Sequence, residues 1–181
     1  MRKWRWALLA VLAIISVVVL GSLPSAIHKA RMDMRLRQAL SFPEEGYVLE
    51  HQSLLAAAEM KIERNTEGSW RLIVDVTVNN IGDRPFMNVL AAAKVDERIG
   101  LFCAMGKLTL HMIEPADMLT SGLSPTGIGI GRSTPLVPSM TEADRDRLIA
   151  LLEEPIFVKI VHDDGVELLS VRPKVTLVID H

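Results

Sequence analysis

The sequence has little of several residue types on which protein chemistry commonly depends. Its 181 residues include one cysteine, and aromatic residues make up 4% of the chain. Cys103 alone excludes an intramolecular disulfide and a cysteine cluster for zinc. No two of the five histidines are three or four residues apart, and HExxH, Gly-x-Ser-x-Gly and phosphate-loop patterns do not occur. The sequence therefore predicts no catalytic residue, no metal and no cofactor, and it favours a non-enzymatic protein.

Charge is divided unevenly along the chain. Residues 1–40 carry seven of the 20 Lys and Arg residues and one acid, Asp33, so that the rest of the chain has 13 bases and 21 acids. A surface that binds nucleic acid needs clustered Lys and Arg to displace counterions from the phosphates. The acidic body therefore argues against a nucleic-acid partner.

The N-terminal segment has the pattern of a membrane anchor. Residues 6–27, from Trp6 to Ile27, contain no charged side chain, and 22 helical residues span about 33 Å, enough for a hydrocarbon core of about 30 Å. Arg2, Lys3 and Arg5 precede this run and favour a cytoplasmic N-terminus. We therefore predict a basic tip at 1–5, a single-pass signal anchor at 6–27, and a body outside the cytoplasm.

Two alternatives to this topology remain open. A cleaved signal peptide has the same basic start and apolar centre, and it would give a secreted protein. No Ala-x-Ala site follows Leu20, which favours an uncleaved anchor. The inverse orientation is the other alternative, because bases that follow the apolar run dilute the charge bias. These bases are Lys29, Arg31, Arg35 and Arg37.

A short stalk is expected between the anchor and the body. From Ile27 to Leu40, apolar and oppositely charged residues recur at helical spacing. Pro43 cannot continue that helix, and Gly46 favours a turn. We assign residues 28–46 to the stalk helix and linker, and 47–181 to one β-rich domain.

Alternation identifies the clearest strands of the body. From Trp70 to Asn79, apolar and polar residues alternate, and the same pattern at 60–63 predicts a hairpin. Near the C-terminus, the β-branched run 156–162 is followed by Asp163-Asp164-Gly165, which is typical of a tight turn. The apolar alternation then continues to residue 179, interrupted by Pro173, which indicates an edge position or a bulge.

Further elements complete the predicted architecture. Strands are expected at 89–95, 107–113 and 127–132, and a helix capped by Thr141 is expected to end before Pro155. Residues 52–59 fit a helix or a strand. Seven or so short strands favour a mainly β, antiparallel two-layer sandwich with one inserted helix, and an α+β antiparallel sheet is the alternative.

The strand end at residues 76–86, Val-Thr-Val-Asn-Asn-Ile-Gly-Asp-Arg-Pro-Phe, following an N-terminal anchor, resembles membrane-anchored immunoglobulin-like modules of bacterial envelope proteins. The resemblance covers residues 57–100. It implies an immunoglobulin-like sandwich and no particular activity. The inserted helix and the absent disulfide depart from the usual pattern of such modules.

Two segments are candidates for an interaction surface. Arg and aromatic residues are enriched at binding hot spots, which singles out the loop after the best strand. The Gly-Ile-Gly-Ile-Gly run indicates an edge strand or bulge, and it also resembles the carboxylate-binding loop of PDZ domains. Pairing of two copies through this edge would give a homo-oligomer. The candidate residues are Asp83, Arg84, Phe86, Gly127, Gly129 and Arg132.

The preferred functional hypothesis is a membrane-anchored module that binds another protein in a membrane or envelope complex. The alternative is an extracytoplasmic small-ligand or glycan-binding domain, with a hydrolase as its enzymatic form. That alternative predicts a concave pocket in which His111 or His162 lies beside Asp163. Cys103, between apolar neighbours, is expected to be a buried thiol.

Overall fold

The computed structural model describes residues 24–64, 68–120 and 127–179. Residues 24–40 are helical (α1), which agrees with the helix predicted at 27–40. Most of the predicted anchor at 6–27 lies outside the described residues. Within those residues, no helix combines the length and apolar character needed to cross a membrane. The chain divides into two compact units, Met1–Gln38 and Ala39–His181, and the second contains all the strands of the described residues.

Nine strands, one α-helix and one 3-10 helix form the described part of the second unit. In chain order they are β1 (Leu54–Arg64), β2 (Trp70–Asn80), β3 (Phe86–Lys94), the 3-10 helix (Glu97–Phe102), β4 (Leu110–His111), β5 (Ala116–Met118), β6 (Gly127–Pro135), α2 (Glu142–Leu152), β7 (Ile156–His162), β8 (Gly165–Val171) and β9 (Lys174–Ile179).

The strands form two sheets. Sheet I has the order β6-β2-β1-β9, and sheet II has the order β4-β3-β7-β8 with β5 also paired to β3. The predicted hairpins are confirmed: β1 pairs with β2 from Leu54↔Asn80 to Arg64↔Trp70, and β7 pairs with β8 across the Asp163-Asp164 turn. The fold is therefore mainly β with two sheets, and the segment 52–59 becomes part of strand β1.

Alternation along the strands builds one core between the sheets. Every second residue of β2, from Leu72 to Val78, is buried, while the residues between them are exposed or half-buried. These side chains pack with the inward residues of sheet II, such as Ile160. Helix α2 adds Leu148 and Leu152, both fully buried, and its predicted cap is confirmed by the reciprocal hydrogen bonds of Thr141 and Asp144.

Three predictions about strands need correction. The pairing is not wholly antiparallel, because β9 runs parallel to β1 over six residue pairs. The C-terminal alternation is one pattern in sequence but two strands in space, since the chain leaves sheet II after Val171 and joins sheet I at Lys174. The strand expected at 107–113 is reduced to Leu110–His111. The parallel pairing of β9 with β1 is possible because a long stretch of chain separates the two strands, whereas strands joined by a hairpin must be antiparallel.

The outer face of sheet II is partly covered by the last residues of α1 and by the segment that follows them. Ala39 packs with Ala92 and Val161 in a second small cluster, against which Phe42 also packs. Farther along the chain, the Val48 amide donates to the Leu168 carbonyl at 3.1 Å. This segment therefore belongs to the compact β unit and covers part of the free edge of β8.

Candidate functional site

The six predicted interaction residues lie in two parts of the structure. Gly127, Gly129 and Arg132 belong to β6, which is an edge strand of sheet I. Asp83, Arg84 and Phe86 lie where the chain leaves β2 and enters β3. The two parts are linked through β2, because Gly127 pairs with Asn79 near the end of that strand.

The direction of the backbone groups in β6 follows from its register. The Leu136 amide donates to the Trp70 carbonyl at 2.9 Å, which makes this a hydrogen-bonded pair. Hydrogen-bonded and non-hydrogen-bonded pairs alternate in antiparallel strands. Gly129, Gly131 and Ser133 therefore direct their N–H and C=O groups away from β2, toward the free edge.

The open part of this edge has a defined end. The Pro135 carbonyl accepts a hydrogen bond from the Ala104 amide at 2.9 Å, and the Val137 amide donates to the Phe102 carbonyl at 2.9 Å. Pro135 is tolerated because its nitrogen points away from β2, so that no hydrogen bond of the β2–β6 ladder is lost. No described residue pairs with the edge side of β6 between Gly127 and Ser133.

Glycine occupies three successive outward positions of β6, and two of the three are covered by side chains of β2. The Asn79 amide oxygen lies over Gly127, and the Asp75 carboxylate oxygen lies 2.8 Å from where a Cβ of Gly131 would be. A Cβ at Gly129 would meet no described atom within 4 Å. The outer face therefore has an open notch at Gly129, beside its pairing partner Thr77.

Arg132 has a side chain that departs from the pattern of its strand. It shares the inward parity of Ile128 and Ile130, which are buried, yet it is exposed. Among the described residues it forms no ion pair. Inward-pointing charges at an edge are a common protection against uncontrolled strand pairing.

The Asp83–Phe86 loop is held by a buried asparagine. Asn80, 1% exposed, donates through Nδ2 to the Arg84 carbonyl at 2.7 Å and to the Met118 carbonyl at 3.3 Å, and its Oδ1 accepts from the Gly82 amide at 3.0 Å. These bonds satisfy the backbone of the turn and fix its shape. The charged side chains of Asp83 and Arg84 are exposed and available for contacts.

The loop borders a cavity of about 350 Å³. Phe86 packs edge-on against the ring of His162 with centroids 4.9 Å apart, which joins the loop to the end of β7. The structure therefore brings the predicted loop residues together with His162. The lining residues are Ser53, Asp83, Arg84, Pro85, Phe86, His162 and Asp164.

Two histidines flank one carboxylate next to this cavity. His51 Nε2 lies 3.0 Å from one oxygen of Glu167, and His162 Nε2 lies 3.4 Å from the other, an ion-pair distance without hydrogen-bond alignment. This grouping was not predicted, since His51 and Glu167 are 116 residues apart in sequence. No local spacing could have indicated it.

Hydrogen bonds assign the protons of both rings. The Ser53 amide donates to His51 Nδ1 at 3.1 Å, and the Asp164 amide donates to His162 Nδ1 at 3.3 Å. A neutral imidazole whose Nδ1 accepts carries its proton on Nε2. The Nε2–H of His51 then donates to Glu167, whereas Nε2 of His162 lies near the other oxygen of that carboxylate without hydrogen-bond alignment. No described group of three His, Cys, Asp or Glu residues is arranged to hold a metal ion.

The other residues weighed from sequence do not line this cavity. His111 is on β4, and Asp163 accepts a hydrogen bond from the Asn88 side chain at 2.6 Å. Cys103 is buried as expected, and its thiol donates to the Ile99 carbonyl at 3.5 Å. Burial raises the pKa of this thiol, so it remains protonated and weakly nucleophilic.

Comparison with known proteins adds no relative, since no family model and no curated protein matches this chain.

Proposed function

We propose that this chain is a membrane-anchored, non-enzymatic module whose immunoglobulin-like sandwich lies outside the cytoplasm and binds another protein. The partner contributes an extended segment that adds a strand to sheet I at β6. The anchor is the apolar run 6–27, and Arg2, Lys3 and Arg5 keep the N-terminus in the cytoplasm.

The observation that carries this proposal is the open edge of β6. Backbone N–H and C=O groups that point away from a sheet form a template for another strand. In strand addition, main-chain hydrogen bonds supply affinity, and the side chains beside the edge supply specificity. The Gly129, Gly131 and Ser133 positions offer these groups without a bulky side chain over the edge.

Photo-crosslinking in the native membrane tests the proposal. Ser133 of the full chain is replaced by p-benzoylphenylalanine, and Thr176, an exposed residue of edge strand β9, receives the same probe as a control. We expect a reproducible protein crosslink from position 133 and none from 176.

A second substitution connects that crosslink to strand pairing. Gly131→Pro removes an edge N–H, whereas Gly131→Ala retains it. The crosslink should disappear with proline and persist with alanine. A crosslink that survives Gly131→Pro, or one of equal yield from position 176, would rule out strand addition at β6.

The cavity beside the Asp83–Phe86 loop supports a second candidate function, the binding of a small polar ligand such as a glycan. Arg84, Asp83 and Asp164 offer charges of both signs, and Phe86 offers an apolar ring. A ligand that binds the folded state raises the unfolding temperature. N-acetylglucosamine oligosaccharides should then stabilise the full chain but not the Arg84→Ala, Phe86→Ala variant; equal melting curves with and without oligosaccharide would remove this candidate.

A further inference from the structure

We infer that the strand bound at β6 carries an aromatic residue opposite Gly129 and an acidic residue opposite Arg132. The inference rests on the proposed strand addition and adds the chemistry of the partner. It follows from the two features of the edge that no described residue satisfies: the open notch at Gly129 and the unpaired charge of Arg132.

The notch at Gly129 specifies a large, flat side chain. Residues directly opposite each other on neighbouring strands have Cβ atoms about 4.5–5.5 Å apart, close enough for an aromatic ring to lean over the facing glycine. Such a ring would cover Gly129 and its neighbour Thr77, and an edge glycine is commonly stabilised in this way. The neighbouring glycines offer no equivalent space, because Asn79 lies over Gly127 and Asp75 lies over Gly131.

The charge of Arg132 specifies the second residue. Arg132 is one position beyond the outward-facing Gly131, so it lies in a non-hydrogen-bonded pair with an added strand, where side chains approach more closely. An Asp or Glu opposite it forms the ion pair that β6 lacks. A Lys or Arg at the same place would repel it.

The register fixes the spacing between the two residues. We infer an added strand antiparallel to β6, the direction in which β2 also pairs with it. In such a pair, three residues forward on β6 correspond to three residues back on the partner. The acid opposite Arg132 therefore precedes the aromatic residue opposite Gly129 by three positions, in the order acid-x-x-aromatic. The residue opposite Gly131 should be small and without negative charge, because Asp75 occupies that space.

Self-pairing of β6 does not supply this chemistry. The strand reads Gly-Ile-Gly-Ile-Gly-Arg-Ser-Thr-Pro and contains neither an aromatic nor an acidic residue. In every register of two antiparallel copies of β6, the notch stays empty and Arg132 stays unpaired. The edge therefore fits a different sequence better than a second copy of itself.

Peptide binding to the full chain in detergent micelles tests the inference. The probe is a fluorescein-labelled nonapeptide, Thr-Val-Asp-Thr-Val-Phe-Val-Lys-Thr, with matched peptides in which Phe becomes Ala, Asp becomes Lys, or the two exchange places. Fluorescence anisotropy should show the first peptide binding about fivefold more tightly than the Ala peptide, and about two- to fivefold more tightly than the Lys peptide.

Variants of the protein separate the specificity from strand addition itself. Gly129→Val fills the notch and should remove the advantage of Phe over Ala, whereas Ser133→Val on the same edge should keep it. Arg132→Glu should reverse the preference between the Asp and Lys peptides. Gly131→Pro should weaken all peptides about tenfold or more.

Different failures point to different errors. Equal binding of all peptides, abolished by Gly131→Pro, would overturn the inferred chemistry and leave strand addition standing. Absence of peptide binding would overturn the inference, and the photo-crosslink would decide the proposed function separately. A dimer in sedimentation that Gly131→Pro dissociates would identify a second copy as the occupant and would also overturn it.

Discussion

The edges of the two sheets differ in how they are protected. Strand β6 pairs with β2 over nine residues without interruption, and no described residue pairs with its outer side from Gly127 to Ser133. The opposite edge of sheet I, β9, is six residues long, follows Pro173 and begins with Lys174. Short strands, prolines and lysines are the usual means by which natural proteins prevent pairing at an edge.

Sheet II shows the same protection by other means. Strand β4 has two residues, and the pairing of β5 with β3 is irregular between Phe86 and Val89, near Asn88 with its positive φ of 52°. The edge of β8 is partly covered by Val48. Among the described strands, β6 therefore has the longest regular edge, and the protection that this edge carries is the charge of Arg132 at a position of inward parity.

The largest loss of stability is expected from a substitution at the end of β2, where this strand leads into the Asp83–Phe86 loop. Asn80→Leu removes three hydrogen bonds and leaves the buried Met118 carbonyl and the part-buried backbone groups of Arg84 and Gly82 without this partner. We expect a loss of about 3 kcal/mol in the free energy of unfolding, since each unsatisfied buried group costs about 1–3 kcal/mol. Urea denaturation measures it. Asn79→Leu, an exposed neighbour, should cost far less.

A substitution that exposes the edge of β8 would test whether its cover prevents self-association. Val48→Pro removes the amide that bonds to Leu168 and should destabilise the protein by about 1–2 kcal/mol. It should also expose the edge of β8, so that sedimentation shows self-association that rises with concentration. Val48→Ala retains the amide and should remain unassociated; association of both variants to the same extent would contradict this explanation.

Valine substitutions at two β6 glycines should have opposite effects on stability. Gly129→Val enters open space and replaces a flexible residue in a strand, so it should raise the free energy of unfolding by about 0.5–1 kcal/mol. Gly127→Val should lower it, because its Cβ would lie 2.9 Å from the Val78 carbonyl oxygen and against Asn79. Thermal unfolding distinguishes them, and equal shifts would refute the difference between open and covered glycines.

The smallest expected change is in the pH dependence of stability, and it arises at Lys159 on the covered face of sheet II. Lys159 is 8% exposed, its ammonium donates to the Ser41 carbonyl at 2.6 Å, and burial lowers its pKa from the ordinary 10.5. Between that lowered pKa and 10.5 the unfolded chain binds more protons than the folded one, so the free energy of unfolding should rise as the pH increases through this window. Denaturation from neutral to alkaline pH should show a rise that Lys159→Met removes and Lys94→Met retains.

Local patterns were sufficient for the elements whose partners are adjacent in sequence. Alternation from Trp70 to Asn79 and the Asp163-Asp164 turn predicted both hairpins, and Thr141 with the following acids predicted helix α2. Strand β9 was not recognised as separate, because the alternation on either side of Pro173 has one parity although the chain changes sheets there. Periodicity reports which side of a strand is apolar, not which strand lies beside it.

The candidate site also has features that local sequence predicted and features that it did not. The composition of residues 83–86 and of the glycine run was enough to select the loop and β6 as candidate surfaces. Sequence did not indicate that Asn79 and Asp75 cover two of the three glycines, or that His51 and His162 meet at Glu167. Both arrangements join residues from different strands or from distant parts of the chain.

The sequence by itself determined the apolar N-terminal run, the acidic body, the hairpins and the glycine spacing of β6, because each depends on residues within a few positions of one another. Only the tertiary structure decided that the glycine run is an edge strand and not a bulge, that Phe102 and Ala104 close its far end, and that Gly129 alone among its three outward glycines is not covered by a described side chain. These depend on the order of strands in the sheet. That order depends on how the apolar faces of the two sheets pack into one core, and this packing involves residues from every part of the fold.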